Sequence, residues 1–360
     1  MDITTQRDRI RGSLIGGAIG DALGYPVEFI ASYATIQSLY GERGITRFHI
    51  RSGRENAKNS ARNAWISDDT QMTLFTACGL LNAKEKKTAP LASICEAYIE
   101  WLYTQSGKKN RRFKECWIRE IPELNQCRAP GHTCITALQA ILCGNDPLNN
   151  SKGCGGVMRI APIPLYGMAQ AGRHDIEVFD RMAAEAAEIT HQHPLGYIPA
   201  ALLSHVIYRL ATDDTPTRMH LTAYIEEGLT VIEKMFPDYT EHVKKMQYLV
   251  KKAVLLSGIS TSDVRSIENE IGGGWVAEET VAIALYCALA HFESFEEAMI
   301  AAVNHAGDSD STGAVTGSIL GAAIGYEALP SYYKENLELH DVILHVADDL
   351  WRGKTTPFNP

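Results

Sequence analysis

The chain has 360 residues, a formal net charge of −9 at pH 7 and a hydrophobic fraction of 45%. Such an acidic chain lacks the basic surface that non-specific nucleic-acid binding needs, and we read the basic residues between Lys108 and Lys114 as a solvated loop. No apolar run approaches the roughly 20 residues of a membrane span, and the N-terminus has no apolar signal-peptide core. The eight cysteines form no Cys-x-x-Cys pair, so we expect reduced, mostly buried thiols in a cytoplasmic protein with no membrane partner.

Two segments far apart in the sequence share a glycine-rich pattern. Gly12 to Gly20 and Gly317 to Gly325 each place small residues among apolar ones. Glycine costs about 1 kcal/mol in a helix interior, so two such helices indicate a close contact between their backbones. If they pack antiparallel, the end of the first helix lies beside the start of the second. The acidic residues that this packing would bring together are Asp21, Glu28, Asp308 and Asp310.

Residues 26–64 are the least regular part of the chain, with a short strand predicted at 45–50 and a polar loop at 51–62. From Thr70 onward, apolar side chains recur at intervals of three and four residues, which indicates helices. Further helices are predicted at 91–103, 133–143, 175–191, 196–211, 219–235, 241–257 and 277–292. Because no linker or change of composition marks a boundary, we expect a single all-α domain over residues 1–360.

Three segments between these helices could contact a ligand. The loop from Gly153 to Pro162 is rich in glycine, which lets backbone N–H groups approach a diphosphate, although the pattern alone is a weak signal. His191 precedes His193-Pro194 closely and could simply be a helix-end residue that bonds a carbonyl. Trp275 follows a run of three glycines, where it could be a core anchor or a plane on which adenine stacks.

Two acidic motifs begin apolar helices. Asp308 and Asp310 alternate with serines, so both carboxylates can point the same way in an extended segment. The other motif, Ser67 to Thr70, sets two adjacent aspartates between hydroxyl groups. Asp and Ser are ordinary helix caps, so either motif alone is ambiguous. Together with the acids after the first helix, however, they favour one polynuclear site for a hard cation such as Mg²⁺ or Mn²⁺.

These motifs resemble, in order, those of the ADP-ribosylglycohydrolase family, which includes dinitrogenase-reductase-activating hydrolases and ADP-ribosylarginine hydrolases. The resemblance runs from about residue 10 to residue 326 and implies the family's all-α fold. The matching pieces are Gly16 to Gly24 with Glu28, Ser67 to Met72, Arg128 to Gly131, Gly153 to Arg159, Thr190-His191, Gly274 to Thr280 and Gly307 to Thr312.

The resemblance also implies the members of the site. Two Mg²⁺ or Mn²⁺ ions would be held by Glu28, Ser67, Asp68, Asp69, Asp308, Asp310 and Ser311. The ADP-ribose would be bound by Gly153, Cys154, Gly155, Gly156, His191 and Trp275. Glu28 or Asp308 would take the proton of the attacking water. Cys154 departs from the pattern, because the family often carries Asn there, and the contact of that amide with the ligand is therefore in question.

The function implied is a metal-dependent hydrolase that cleaves the N-glycosidic bond of a mono-ADP-ribosylated protein. We expect arginine to exceed serine as the acceptor, since the Gly307 to Thr312 and Ser67 to Thr70 motifs resemble those of bacterial arginine-directed hydrolases. One alternative is an immunity protein that neutralises an ADP-ribosyltransferase toxin, by reversing its modification or by occluding it. A structural protein that has lost the chemistry is disfavoured, because all the acidic ligands are present.

Overall fold

The computed structural model describes residues 3–50, 64–106, 114–170, 175–259 and 268–358. Its helices are α1 (Ile3–Gly24), α2 (Tyr33–Tyr40), α3 (Asp68–Lys86), α4 (Pro90–Ser106), α5 (His132–Leu142), α6 (Pro162–Ala169), α7 (Ile176–Glu188), α8 (Pro194–Thr212), α9 (Arg218–Met235), α10 (Thr240–Ser257), α11 (Ala277–Ala290), α12 (Phe295–Val303), α13 (Ser309–Ile324), α14 (Ser331–Asn336) and α15 (His340–Arg352). Within these ranges extended pairing is limited to two isolated bridges, so the all-α prediction is confirmed. None of the described helices is long and apolar enough to cross a membrane.

Helices α1 and α13 lie side by side with their glycines in register. A methyl group added to Gly317 would overlap the carbonyl of Gly16, and one added to Gly16 would overlap the carbonyl of Gly317. Gly12 and Gly321 have the same relation: a methyl group on either would overlap the carbonyl of the other. Residue numbers therefore increase along α1 in the direction in which they decrease along α13. The predicted antiparallel packing is confirmed. Glycine is required here because any side chain would separate the two backbones.

Two further sets of contacts hold α1 in place: a serine hydroxyl that bonds α13, and arginine side chains that bond α15. The Ser13 hydroxyl donates to the carbonyl of Ser318 at 2.9 Å, inside the contact between α1 and α13. On another side of α1, both Arg7 and Arg11 donate from Nε to Asp348 Oδ1 of α15 at 2.7 Å. Helix α15 was not predicted. The N-terminal helix is therefore held between two helices from the end of the chain.

The irregular region departs from the prediction. The strand expected at residues 45–50 is wrong, because the backbone of Ile45 bonds with a side chain and not with a neighbouring strand. The Asn304 amide accepts from Ile45 N at 2.8 Å and donates to Ile45 O at 2.9 Å. Helix α2 was missed in the same region. The predicted polar loop at 51–62 and the basic residues 108–112 lie outside the described residues.

Two smaller predictions were partly wrong. The helix expected at 175–191 ends at Glu188, so that His191 lies in the turn before α8 and not in a helix. All eight cysteines are free, as expected, but Cys127 and Cys143 are exposed and only half of the eight are buried. The remaining predicted helices are found within a few residues of their expected ends.

Candidate active site

Asp21 in the last turn of α1 fixes the start of α3. Its carboxylate accepts from the backbone N–H groups of Ser67 at 2.9 Å and Thr70 at 3.0 Å, and from the Thr70 hydroxyl. Those N–H groups belong to the first turn of α3, where helical partners are missing. Burial raises the pKa of Asp21 to about 6, against the effect of these bonds. Asp21 therefore positions the Ser67 to Thr70 motif, a role that sequence reasoning had not assigned to it.

Three carboxylates converge where α1 ends and α13 begins. Glu28 lies in the turn that follows α1, Asp308 caps the start of α13, and Asp310 is in its first turn. One oxygen atom from each lies within 4.8 Å of the others, and all three residues are buried. The packing of the two glycine-rich helices therefore brings acids from opposite ends of the chain together.

Some oxygen atoms in and beside this cluster have no protein partner. Glu28 Oε2 and Asp69 Oδ2 are buried without a hydrogen bond. Burial, followed by the charges of Asp308 and Asp68, raises the pKa of Glu28 to about 9. Burial and the neighbouring carboxylates likewise raise the pKa of Asp310 well above its usual range. An uncompensated buried carboxylate is costly, so these oxygen atoms fit a site for a divalent cation that takes oxygen ligands.

Asp68 and Asp69 lie beside the cluster. Asp68 Oδ2 accepts from the backbone N–H of Gly131 at 3.1 Å, and burial raises the pKa of Asp68 to about 8, with the charges of Asp21 and Asp308 adding to the effect. The pKa of Asp69 is also raised, first by burial and then by the charges of Asp21, Asp68 and Asp308. The acids of α3 are thus electrostatically part of the same site.

The two serines expected as ligands begin α3 and α13. Ser67 caps α3, its hydroxyl accepting from the backbone N–H of Asp69 at 3.2 Å. The backbone N–H of Ser311 donates to Asp310 Oδ1 at 2.9 Å, while its hydroxyl lies 3.9 Å from the Met158 sulfur. Both hydroxyls are buried next to carboxylates that the sequence had grouped with them.

Cys154 contacts the acid cluster directly. Its thiol donates to Asp308 Oδ2 at 2.7 Å. Burial and the negative charge of Asp308 raise the pKa of Cys154 well above its usual range, so the sulfur keeps its proton. The thiol therefore supplies a donor to Asp308 at the position where the resemblance places an asparagine.

The glycine loop packs against His191 and against the Trp275 segment. Cys154 to Gly156 form a single 3₁₀ turn, and Cys154 N donates to the Trp275 carbonyl at 3.2 Å. A Cβ atom on Gly155 would lie 3.1 Å from His191 Cε1, which is tighter than an ordinary contact. Glycine thus keeps the loop close to the histidine ring.

His191 is buried and neutral. The Arg159 guanidinium donates to the Thr190 hydroxyl at 2.7 Å, and that hydroxyl lies 2.9 Å from His191 Nδ1. The Thr190 hydroxyl can donate to Nδ1 at 2.9 Å or to the Ala187 carbonyl at 3.5 Å. We assign its proton to the shorter contact, which leaves the proton of the imidazole on Nε2. Nε2 lies next to Gly153. Burial and the charge of Arg159 lower the pKa of His191 to about 3.

Trp275 is on the surface. Its side chain is 45% exposed and stacks on Phe29, which is 71% exposed, with ring centroids 6.3 Å apart and planes at 28°. The core-anchor alternative for Trp275 is therefore wrong. Phe29 was missed by the sequence reasoning, although its position directly after Glu28 was a signal.

The loop before α11 links this aromatic pair to the acids. Glu279 Oε2 accepts from Gly274 N at 3.2 Å, and the Gly273 carbonyl accepts from Asp308 N at 2.8 Å. Glu278, in the first turn of α11, forms an ion pair with Lys152 at 2.6 Å. Glu279 therefore holds the loop that meets Asp308.

Comparison with known proteins agrees with this geometry. The sequence matches the ADP-ribosylglycohydrolase family over residues 2–359. The ADP-ribosylhydrolase ARH3 of Mus musculus is 27% identical, over 92% of this chain and 87% of that protein, and the ADP-ribosyl-[dinitrogen reductase] glycohydrolase of Rhodospirillum rubrum is 25% identical, over 92% and 91%. A solved structure described as an ADP-ribosylglycohydrolase-related protein complex shares the fold, with a TM-score of 0.61 and 22% identity over 98% of this chain and 100% of that chain. The chain belongs to the ADP-ribosylglycohydrolase family of hydrolases.

Proposed function

We propose that the protein is a divalent-metal-dependent hydrolase that removes ADP-ribose from arginine side chains of modified proteins. The observation that carries the proposal is the buried convergence of Glu28, Asp308 and Asp310 beside carboxylate oxygens that lack a protein partner. Membership of the family supports hydrolysis of an ADP-ribosyl bond. The relative named for ADP-ribosyl-[dinitrogen reductase] supports a protein substrate.

The donor set favours Mg²⁺ or Mn²⁺, because it consists of carboxylate and hydroxyl oxygens. When bound, such cations supply charge neutralisation and a more acidic water. The residues that would hold two of them are Glu28, Ser67, Asp68, Asp69, Asp308, Asp310 and Ser311.

We assign Glu28 to accept the proton of the attacking water. Its Oε2 has no hydrogen-bond partner. Asp308, the other candidate, has both oxygens occupied, since Oδ2 accepts from Cys154 at 2.7 Å and Oδ1 accepts from Ser311 N at 3.3 Å. Of the two carboxylates, Glu28 receives fewer hydrogen bonds, and with one oxygen on a cation its other oxygen would be left to take the proton.

The side of the site formed by His191 and the glycine loop is assigned to the ADP portion. His191 can donate from Nε2 into the glycine loop, where Gly153, Cys154, Gly155 and Gly156 offer backbone groups to a diphosphate. A neutral donor held by Thr190 and Arg159 keeps one orientation throughout turnover. Trp275 is assigned to the substrate as an exposed aromatic plane beside this loop.

Turnover of matched peptides tests the proposal. ADP-ribosylarginine and ADP-ribosylserine peptides are offered to the protein after EDTA treatment and again after addition of Mg²⁺ or Mn²⁺. We expect activity only with the metal, and faster release from arginine. Full activity in EDTA would refute the metal dependence, and faster release from serine would refute the acceptor.

A variant pair separates ligands from fold. Asp310→Asn should abolish turnover while helical circular dichroism stays near that of the wild type, since Asp310 lies at a helix start and outside the apolar core. Asp180→Asn is the matched control, because Asp180 is equally buried but bonds His205 at 2.8 Å and is not part of the cluster. It should retain turnover. Loss of helical structure in Asp310→Asn would show a structural role for that acid.

Protection of cells that express an arginine-modifying toxin tests the immunity alternative. Wild type and Asp310→Asn are produced at equal levels beside the toxin. Protection by the wild type alone indicates that catalysis is what the cell uses. Equal protection by both would indicate occlusion of the toxin and would overturn the enzymatic proposal for its cellular role.

A further inference from the structure

The backbone that leads into α3 is paired with the connection between α14 and α15. Ala64 N donates to the Asn336 carbonyl at 3.2 Å, and the Ala64 carbonyl accepts from Glu338 N at 3.1 Å. An isolated bridge between Ala64 and Leu337 forms at the same place. Residues close to the last helix of the fold therefore hold the segment that directly precedes the Ser67 to Thr70 motif.

The side chain of Glu338 joins this segment to Arg128. Its Oε2 accepts from Ile66 N at 3.1 Å, and its Oε1 accepts from Arg128 Nη2 at 2.9 Å. The side chains of Arg128 and Glu338 are only 3% and 8% exposed, and the guanidinium also lies over the Trp65 ring, 4.0 Å from its centroid. A buried ion pair is costly to dehydrate and adds little net stability, so its place beside the acid motif needs another explanation.

Arg128 begins the turn that bonds Asp68. The Arg128 carbonyl accepts from Asp68 N at 3.0 Å, and Asp68 Oδ2 accepts from Gly131 N at 3.1 Å. Between these two bonds, Ala129 has a φ of 53°, in the left-handed region that residues other than glycine rarely adopt. The strained turn from Arg128 to Gly131 thus holds Asp68 by its backbone and by its carboxylate.

We propose that Arg128 and Glu338 are positioning residues for Asp68, and that their ion pair fixes the orientation of its carboxylate in the acid cluster. This inference rests on the metal site of the proposed function and not on its substrate. Glu338 fixes the backbone before the motif through Ile66, and Arg128 fixes the turn that bonds Asp68. Contacts of this kind orient the carboxylates that bind a metal.

Binding of Mn²⁺ alone, measured by titration calorimetry on the metal-free protein, tests the proposal. Glu338→Gln removes a charge and keeps an acceptor for Ile66 N. Arg128→Met removes the guanidinium and keeps a long side chain over Trp65. The double variant Arg128→Met/Glu338→Gln removes both charges. The melting temperature of each variant is measured alongside its affinity for Mn²⁺.

Asp348→Asn is the matched control. Asp348 is also largely buried, and it also joins distant parts of the chain through arginines, since Arg7 and Arg11 donate to it at 2.7 Å. It lies outside the acid cluster. Asp348→Asn should therefore melt earlier than the wild type and keep the wild-type affinity for Mn²⁺.

Both single variants should bind Mn²⁺ roughly 10- to 100-fold more weakly than the wild type. They should also melt earlier, because each leaves one buried charge without its partner. The double variant should regain much of the lost stability, since neither charge remains, and should still bind Mn²⁺ as weakly as the single variants. A residue with only a structural role would restore affinity and stability together.

The results divide clearly between the two roles. An Mn²⁺ affinity that recovers in the double variant, or one that falls equally in Asp348→Asn, would overturn the positioning role. If a single variant fails to fold, the double variant decides, and a wild-type affinity in it would refute the proposal. A wild type that binds no Mn²⁺ refutes the metal site and this inference together, whereas a wild type that binds it beside unaffected variants refutes only the positioning role.

Discussion

In the metal-free protein, the free energy of unfolding should fall as the pH rises from 7 to 9. Burial raises the pKa of Glu28 to about 9 and that of Asp68 to about 8 in the folded, metal-free chain. Unfolding returns both carboxyls to ordinary values, so the folded state binds protons that the unfolded state releases. Stability from such a group is present at low pH and is lost as the pH rises through the folded pKa.

The expected size follows from proton linkage. Between pH 9 and pH 7, Glu28 contributes about 2 kcal/mol and Asp68 about 1 kcal/mol. The carboxyls interact, so the pair titrates together and about 3 kcal/mol is a joint figure. With an unfolding entropy of ~2.1 cal/mol/K per residue over 360 residues, this corresponds to ~4 °C in Tm. The comparison stops at pH 7, because burial lowers the pKa of His191 to about 3 and that of His305 to about 4, and both histidines oppose the trend at lower pH.

Thermal melts followed by helical circular dichroism measure the effect. After EDTA treatment, Tm should rise by ~4 °C from pH 9 to pH 7. With saturating Mg²⁺ the part of the rise that comes from the acid cluster should disappear, since the cation takes the place of the protons. The buried thiols Cys134 and Cys154, whose pKa burial raises, contribute a remainder that the cation does not remove. Glu28→Gln should raise the metal-free Tm at pH 9 and flatten its dependence on pH. A metal-free Tm that stays constant or increases toward pH 9 would refute the reasoning.

Asp348 provides the control for these melts. Although burial opposes it, hydrogen bonds from Arg7 and Arg11 lower the pKa of Asp348 to about 2. Its carboxylate is therefore ionised in both folded and unfolded chains from pH 7 to pH 9. Asp348→Asn should lower Tm by the same amount at every pH in this range and leave the dependence on pH intact. If it removed that dependence, the acid cluster would not be its source.

Three further predictions concern the contact between α1 and α13, His191 and Cys154. Gly317→Ala should destabilise the protein by about 3 kcal/mol in urea melts, whereas Gly258→Ala, which meets only an ordinary contact, should have little effect; equal stability of the two variants would contradict the close packing of α1 and α13. His191→Ala should weaken calorimetric binding of free ADP-ribose, and the wild-type pH–rate profile should have no limb from His191 above pH 5, since its pKa is about 3; unchanged ADP-ribose affinity would contradict the assignment. Cys154→Asn should retain turnover because it keeps a donor to Asp308, and Cys154→Ala should reduce kcat; the reverse order would show that the thiol is not used as a donor.

The central helix pair could be predicted from the sequence because its cause is local composition. Glycine at helical spacing in two segments has a steric reason, and the convergence of Glu28 with Asp308 and Asp310 follows from the packing direction. The strand predicted at residues 45–50 failed for a different reason. Its backbone bonds a side chain more than 250 positions away, and no local pattern reports such a partner.

Other features required the three-dimensional arrangement. Asp21 looked like one more acid of the cluster, but both of its oxygens serve the first turn of α3. Phe29 looked like an ordinary apolar residue in an irregular segment, and only its exposure and its stacking on Trp275 distinguish it. Periodicity reports which face of a helix is buried and does not report which exposed side chains meet.

The packing of α1 against α13 also determines when the candidate active site can form during synthesis of the chain. Helix α1 leaves the ribosome before α13. Its glycine-rich face has no helix to pack against until α13, which begins at Ser309, has been made. At about 5–20 residues per second, that wait lasts roughly 15–60 s. Before α13 is made, Glu28, Asp68 and Asp69 lack Asp308 and Asp310, so the nascent chain has three of the five acids and no complete acid cluster. We expect catalytic competence to arise late and all at once, after the last glycine stripe has emerged.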